Sequence, residues 1–113
     1  MGRQLGQLRP ANTTAASLFS PDENKPYKIN VIIIVNTSGS AASATIYHDI
    51  DGSTYDETTT ILPAKSITAS GFYMFQPNEG IGDYNKAGNV GVKSSVADAL
   101  TFTAYGEILG ETL

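Results

Sequence analysis

The chain has 113 residues and a formal net charge of −4 at pH 7, which allows one domain and leaves no room for a second. The absence of cysteine excludes disulfides and thiolate chemistry, and a single histidine excludes a multi-histidine metal site within one chain. The acidic balance argues against a broad nucleic-acid-binding face, and no stretch approaches the roughly 20 apolar residues of a membrane span. We therefore expect neither a nucleic-acid nor a membrane partner.

The first ten residues differ in charge from the remainder. They contain both arginines and no acidic residue, whereas residues 11–113 contain five lysines against eleven acidic residues. Pro10 ends this segment, because the residue before a proline is driven into extended conformations. The sequence thus predicts an extended N-terminal arm over residues 1–10 and a single domain over residues 11–113. The arm is either frayed or docked on a neighbouring subunit. The arm residues expected to contact that subunit are Arg3, Leu5, Leu8 and Arg9.

Strand patterning dominates after the arm. Residues 27–35 form the strongest segment, rich in the β-branched side chains that suit a pleated surface. Residues 100–108 alternate well, and the side chains expected to point inward are Leu100, Phe102, Ala104 and Ile108. The other predicted strands are 13–20, 44–50, 54–62, 66–70 with 71–75 (one bent strand or two) and 90–93. Seven or eight short strands with regular turn signals predict an all-β fold, either an antiparallel β-sandwich or a jelly-roll-like barrel.

The strand over residues 27–35 is apolar on both of its faces. Strict alternation assigns four side chains to the core face: Ile29, Val31, Ile33 and Val35. Ile32 and Ile34 then lie on the opposite face, although a sandwich strand needs only one apolar face. Something must cover these two side chains. The candidates are the arm, the long loop predicted over residues 76–91, a second subunit, or the domain itself if the strand is central. We predict that intersubunit or arm contacts cover Ile32 and Ile34, which makes them interface residues.

One acidic cluster occurs in the chain, and its carboxylates are Asp49, Asp51, Asp56 and Glu57. Closely spaced carboxylate oxygens can bind calcium. Gly52 falls at the fourth position of the segment, however, and not at the sixth as in an EF-hand loop. We therefore predict a solvated hairpin tip and no metal site.

No ionisable residues are spaced as a catalytic set. His48 lies between Tyr47 and Asp49 on a predicted strand, and strand neighbours point to opposite faces, so we expect a packing or surface role. We accordingly expect no catalytic residue and no cofactor, and a small hydrolase is the weakest of the alternatives. A glycan-binding module would expose several aromatic side chains in one long loop, and the candidates for that are Phe72, Tyr73, Phe75 and Tyr84.

The segment from Tyr27 to Asp56 resembles small all-β virion proteins of tailed bacteriophages. An Ile/Val-rich strand enters the small-residue turn Asn36-Thr37-Ser38-Gly39-Ser40-Ala41-Ala42, and a short alternating strand then ends in His48-Asp49. The ending over residues 99–106 is similar too. The resemblance implies a non-enzymatic virion protein, foremost a capsid decoration or cement protein, that forms homo-oligomers and binds other virion proteins. A tail, adaptor or fibre component, or a glycan-binding module at a fibre tip, is the alternative.

Overall fold

A computed structural model describes residues 3–21, 26–78, 80–83 and 87–108. All regular secondary structure in these ranges is β-strand, which confirms the all-β class. The nine strands, in chain order, are β1 (Arg3–Leu8), β2 (Ala16–Phe19), β3 (Tyr27–Asn36), β4 (Ala42–Asp49), β5 (Thr60–Ile67), β6 (Phe72–Phe75), β7 (Ile81–Asp83), β8 (Asn89–Ser94) and β9 (Leu100–Ile108).

The strands form two antiparallel sheets that face each other. Sheet A has the order β1-β9-β3-β6, and β7 pairs with the beginning of β3 on the same side as β6. Sheet B has the order β2-β8-β4-β5. The predicted sandwich is therefore confirmed, and its two layers bury one apolar face each.

The core lies between these two inner faces. As predicted, Leu100, Phe102 and Ala104 point into it and are fully buried, and Ile108 packs against it. The largest other apolar side chains in the core are Leu18, Tyr27, Ile29, Ile32, Ile34, Ile46, Leu62, Ile67, Ile81, Val90 and Val92. Sheet A supplies most of the bulk from its two central strands, because β3 and β9 pair over nearly their whole lengths.

The predicted core face of β3 is wrong after its first residues. The pairing of β3 with β9 shifts between Ile29 and Val31, which leaves Asn30 as an extra, exposed residue. A bulge of this kind reverses the side-chain alternation beyond it. Ile32 and Ile34 therefore point into the core and have 0% exposure, so the domain itself covers them and they are not interface residues.

The extended N-terminal arm is not confirmed. Residues Arg3–Leu8 form β1, an edge strand of sheet A that pairs with β9 from Arg3 opposite Gly106 to Leu8 opposite Phe102. Pro10 is buried, and its carbonyl accepts a hydrogen bond of 2.9 Å from the Asp98 N–H. The sandwich thus includes residues that the sequence separated from it, while Met1 and Gly2 lie outside the described residues.

Two further boundaries differ from the sequence predictions. The strand expected over 54–62 begins only at Thr60 and continues to Ile67, with Pro63 inside it. Pro63 is tolerated because β5 is an edge strand, where one side of the backbone needs no partner. The loop expected over 76–91 contains β7 and the beginning of β8, and residues 79 and 84–86 of it lie outside the described residues.

Candidate protein-binding surface

Part of the outer face of sheet B, around Gly91 of β8 and Tyr47 of β4, is covered by its own chain. The connection between β4 and β5 folds back so that the Tyr55 ring lies against Gly91, where an added Cβ would collide with it. Tyr47 packs beside this ring with a centroid separation of 5.7 Å, and Asn89 donates a hydrogen bond of 3.0 Å to the Gly52 carbonyl. Burial raises the pKa of the Tyr55 phenol, although a hydrogen bond with Ser17 opposes the shift.

The outer face of sheet A carries an apolar strip. We call it the outer strip, and its residues are Val31, Ile33, Val35, Phe72 and Met74. The register of β3 with β6 places Ile33 opposite Met74 and Val35 opposite Phe72, which makes the strip continuous across two strands. The exposed fractions are 68% for Phe72, 47% for Met74 and 37% for Val35.

Uncharged side chains flank the outer strip on β9. Thr101, Thr103 and Tyr105 lie opposite Val35, Ile33 and Val31 respectively. Charge on these two strands begins only at the end of the sheet, where Lys28 is the register partner of Glu107. A neutral apolar face of this kind is typical of the central part of a protein–protein contact, from which charged residues are depleted.

Among the four predicted arm residues, Leu5, Leu8 and Arg9 contact the rest of the domain. Leu5 and Leu8 are half-buried and pack against the core. Arg9 donates from Nε and Nη2 to the Asp98 carbonyl oxygen, at 3.1 and 2.6 Å. Arg3 is exposed at the beginning of β1. The structure therefore uses Leu5, Leu8 and Arg9 to attach β1 and the segment after it to the sandwich, and it does not present them together on a free arm.

The acidic cluster forms the connection between β4 and β5. Asp49 Oδ2 accepts from the Thr54 N–H at 2.9 Å and Asp49 Oδ1 from the Asp51 N–H at 3.2 Å, and these bonds lower the Asp49 pKa. Asp56 Oδ1 accepts from the Thr58 hydroxyl at 2.6 Å and the Thr58 N–H at 2.8 Å, which lowers the Asp56 pKa. These carboxylates thus hold turns together. Across the described ranges, no three acidic or histidine side chains are grouped to hold a metal.

His48 lies at the interior end of β4. Its Nε2 is 3.4 Å from the hydroxyl of Tyr27, a nearly buried side chain of β3, so the pair connects the two sheets. The Phe19 ring packs edge-on against Tyr27 with a centroid separation of 4.9 Å. The contacts of His48 fit the packing role predicted for it.

The aromatic residues considered for glycan binding do not share one loop. Phe72, Tyr73 and Phe75 belong to β6 and alternate, so that Phe72 lies on the outer face and the other two lie toward the interior. Lys65 Nζ lies 5.0 Å from the centre of the Tyr73 ring. Tyr84 falls outside the described residues. A stacking platform built from these three described rings is therefore not formed on either face.

Sequence reasoning found the apolar excess of β3 but placed it on the wrong face. The missed residues are Val31, Ile33 and Val35, together with their β6 neighbours Phe72 and Met74. The run Phe72-Tyr73-Met74-Phe75 was a usable signal, because a strand with four large apolar side chains is apolar on both faces just as β3 is. Pairing of two such strands makes one wide apolar outer face.

No family model matches this chain, and no curated protein matches it significantly. None of the described residues belongs to a helix that could cross a membrane.

Proposed function

We propose that this protein is a non-enzymatic structural component of a bacteriophage particle, a capsid decoration or cement protein that binds neighbouring virion subunits through the outer strip. The observation that carries the proposal is the difference between the two outer faces. The β4–β5 connection covers part of sheet B, around Gly91 and Tyr47, whereas the outer strip on sheet A exposes Phe72, Met74 and Val35 together. The sandwich fold is compatible with the resemblance to small phage virion proteins, from which the virion assignment comes.

The proposal requires that apolar contact supplies most of the binding. Burying a side chain such as Val35 or Phe72 contributes about 1.5–3 kcal/mol, whereas an exposed ion pair contributes about 0–1 kcal/mol. Because charge is remote from the strip, attachment should be only weakly sensitive to added salt. A tail, adaptor or fibre component would use the same surface on a different part of the particle.

The test is to locate the protein in fractionated phage particles and to introduce one charged side chain into the outer strip. We expect the wild type to purify with capsids and Val35→Lys to be lost from them, because the new ammonium group must be desolvated in the contact. Ile61→Lys is the matched control, since Ile61 on β5 has the same 37% exposure but lies away from the strip.

Circular dichroism and thermal melting would establish that both variants remain folded. Recovery of the wild type with tails would replace the decoration role by the tail alternative. Absence from all particle fractions, or full capsid retention by a folded Val35→Lys, would contradict the proposal.

A further inference from the structure

We infer that β6 is a dimerisation edge, at which a second copy of this chain adds its own β6 in antiparallel orientation. The particle contact proposed above uses the face of sheet A, whereas this inference concerns the edge of the same sheet and extends beyond it. The observations behind it concern the edge strands of the two sheets.

Three of the four edges carry features that block strand addition. At one side of the sandwich, β1 and β2 approach so closely that a Cβ on Gly6 would meet the Leu18 carbonyl. The edge strand β5 contains Pro63, which lacks an N–H, and the exposed Lys65. Proline and lysine are typical protections of an exposed edge.

The β6 strand itself contains neither residue, although the Lys65 ammonium of β5 lies 5.0 Å from the centre of the Tyr73 ring. The strand sequence, Phe72-Tyr73-Met74-Phe75, contains no proline and no charge. In the described part of the chain β6 pairs only with β3, so one side of its backbone faces outward. An uncharged apolar edge of this kind is a template for another strand.

The ladder identifies which backbone groups point outward. The Asn36 N–H donates to the Gly71 carbonyl at 2.8 Å, and hydrogen-bonded positions alternate along an antiparallel pair. Tyr73 and Phe75 therefore direct their N–H and C=O groups at β3, while Phe72 and Met74 direct theirs at the open edge. The two most exposed side chains of the outer strip thus belong to the two residues with outward backbone groups.

A second copy of β6 satisfies these groups with matching chemistry. A two-fold axis beside Tyr73 places Phe72 of each copy opposite Met74 of the other. The outward N–H and C=O groups of both residues then bond across the axis. Because directly opposed residues share a face, the outer strips of the two copies become one continuous surface.

The net charge also restricts where a second copy can bind. Each chain carries a net charge of −4, so two copies repel each other over most of their surfaces. The β6 strand and the outer strip contain no charged residue, and the charged group that lies beside Tyr73 is the Lys65 ammonium, 5.0 Å from its ring centre. Contact at this edge therefore brings no carboxylates together. Because each chain has a single β6 edge, the assembly is complete with two copies.

The experiment measures dimerisation by sedimentation equilibrium on the full chain, with Met74→Pro as the decisive variant. The Met74 N–H faces the open edge, so proline there leaves the β3 ladder intact but removes a donor from each side of the dimer. We expect a reversible wild-type dimer and a dissociation constant at least about tenfold weaker for Met74→Pro. Ile61→Lys should dimerise like the wild type.

Residue-resolved amide exchange gives a readout that needs no variant. The N–H groups of Phe72 and Met74 should be protected at high protein concentration and should lose protection on dilution. Those of Tyr73 and Phe75 should be protected throughout, because they bond to β3. Exchange at Phe72 and Met74 that is independent of concentration would overturn the inference even if the variant failed to fold.

A wild type that stays monomeric at all soluble concentrations would overturn the edge contact, and so would a dimer unaffected by a folded Met74→Pro. Association beyond two copies would contradict the two-fold closure. These results are separable from the particle proposal. Met74 belongs to the outer strip as well as to the edge, so the two proposals are separated by their readouts. Capsid retention of Val35→Lys tests the face, whereas dimerisation and amide exchange at Phe72 and Met74 test the edge.

Discussion

The Asn36 side chain is fully buried at the end of β3, so each of its polar groups needs a hydrogen-bond partner within the protein. Its Nδ2 donates to the Ser40 carbonyl at 2.9 Å and to the Ile67 carbonyl at 3.0 Å. Its Oδ1 accepts from the Ser38 N–H at 2.9 Å and the Ser38 hydroxyl at 2.8 Å. One amide therefore shapes the turn after β3 and connects it to the end of β5.

Replacing Asn36 with Ala should destabilise the protein by at least about 1–3 kcal/mol, the cost of one buried polar group left without a partner. Asn36→Asp should also destabilise it, because a carboxylate cannot donate to the Ser40 and Ile67 carbonyls. Urea unfolding measures both effects. Thr37→Ala is the control in the same turn, since the Thr37 side chain is exposed. Equal midpoints for Asn36→Ala and Thr37→Ala would contradict this account.

At the scale of elements, the β4–β5 connection covers the part of sheet B around Gly91 and Tyr47, and hydrogen bonds to two carboxylates fix its turns. Hydrogen bonds to Asp49 and Asp56 lower the pKa of each below the ordinary 3.8. A carboxyl with a lowered pKa in the folded state stabilises that state above its unfolded value. The contribution disappears as the pH falls below 3.8 and through the folded value.

We therefore expect the melting temperature to fall as the pH drops through 3.8 and below it, partly through this connection. The double variant Asp49→Asn with Asp56→Asn should show a smaller fall, because the amide oxygens still accept hydrogen bonds but do not titrate. Glu57→Gln provides the control, as an exposed acid of the same segment. An identical pH dependence of the double variant and the wild type would show that these two carboxylates do not contribute.

Another element-scale feature, the bulge in β3, decides which residues are available for binding. By adding Asn30 between two registers, the bulge turns Ile32 and Ile34 inward and Val31, Ile33 and Val35 outward. Both sets are apolar, so composition and spacing are the same for either orientation. The choice depends on pairing with β9, whose Phe102 and Ala104 are opposite Ile34 and Ile32.

At the scale of the whole molecule, the sandwich closes where β1 of sheet A meets β2 of sheet B. Gly6 allows this approach, because a Cβ there would collide with the Leu18 carbonyl of β2. The collision is with backbone, which cannot rotate away as a side-chain end can. The N-terminal strand is thus held both by its ladder with β9 and by contact across the edge.

Gly6→Ala should destabilise the protein by about 1–3 kcal/mol through overpacking of this closure. Gly39→Ala is the matched control, since no atom lies within 4 Å of the added Cβ and the smaller entropy of the unfolded chain favours alanine there. Denaturant titrations of the two variants give the comparison. A Gly6→Ala variant as stable as Gly39→Ala would mean that β1 and β2 do not approach as described.

The sequence by itself determined the class of fold and the inward face of β9. Alternation of Leu100, Phe102 and Ala104 needs no partner to be interpreted, because the intervening threonines, Thr101 and Thr103, are polar. The same rule failed for β3, since its alternation is apolar on both faces. The pairing of β3 with β9, which includes the bulge, determines which of the two faces is buried.

Tertiary structure alone decided that residues 3–8 form a strand and where the outer strip lies. The basic segment with Leu5 and Leu8 fits an arm or a strand equally well, and only the free edge of β9 made it a strand. The outer strip arises because Phe72 and Met74, about forty positions beyond Val31 and Ile33 in the chain, become their neighbours on one face. Local sequence patterns indicate on which face of its strand a side chain lies. Long-range contacts determine which strand pairs with it and which face is covered.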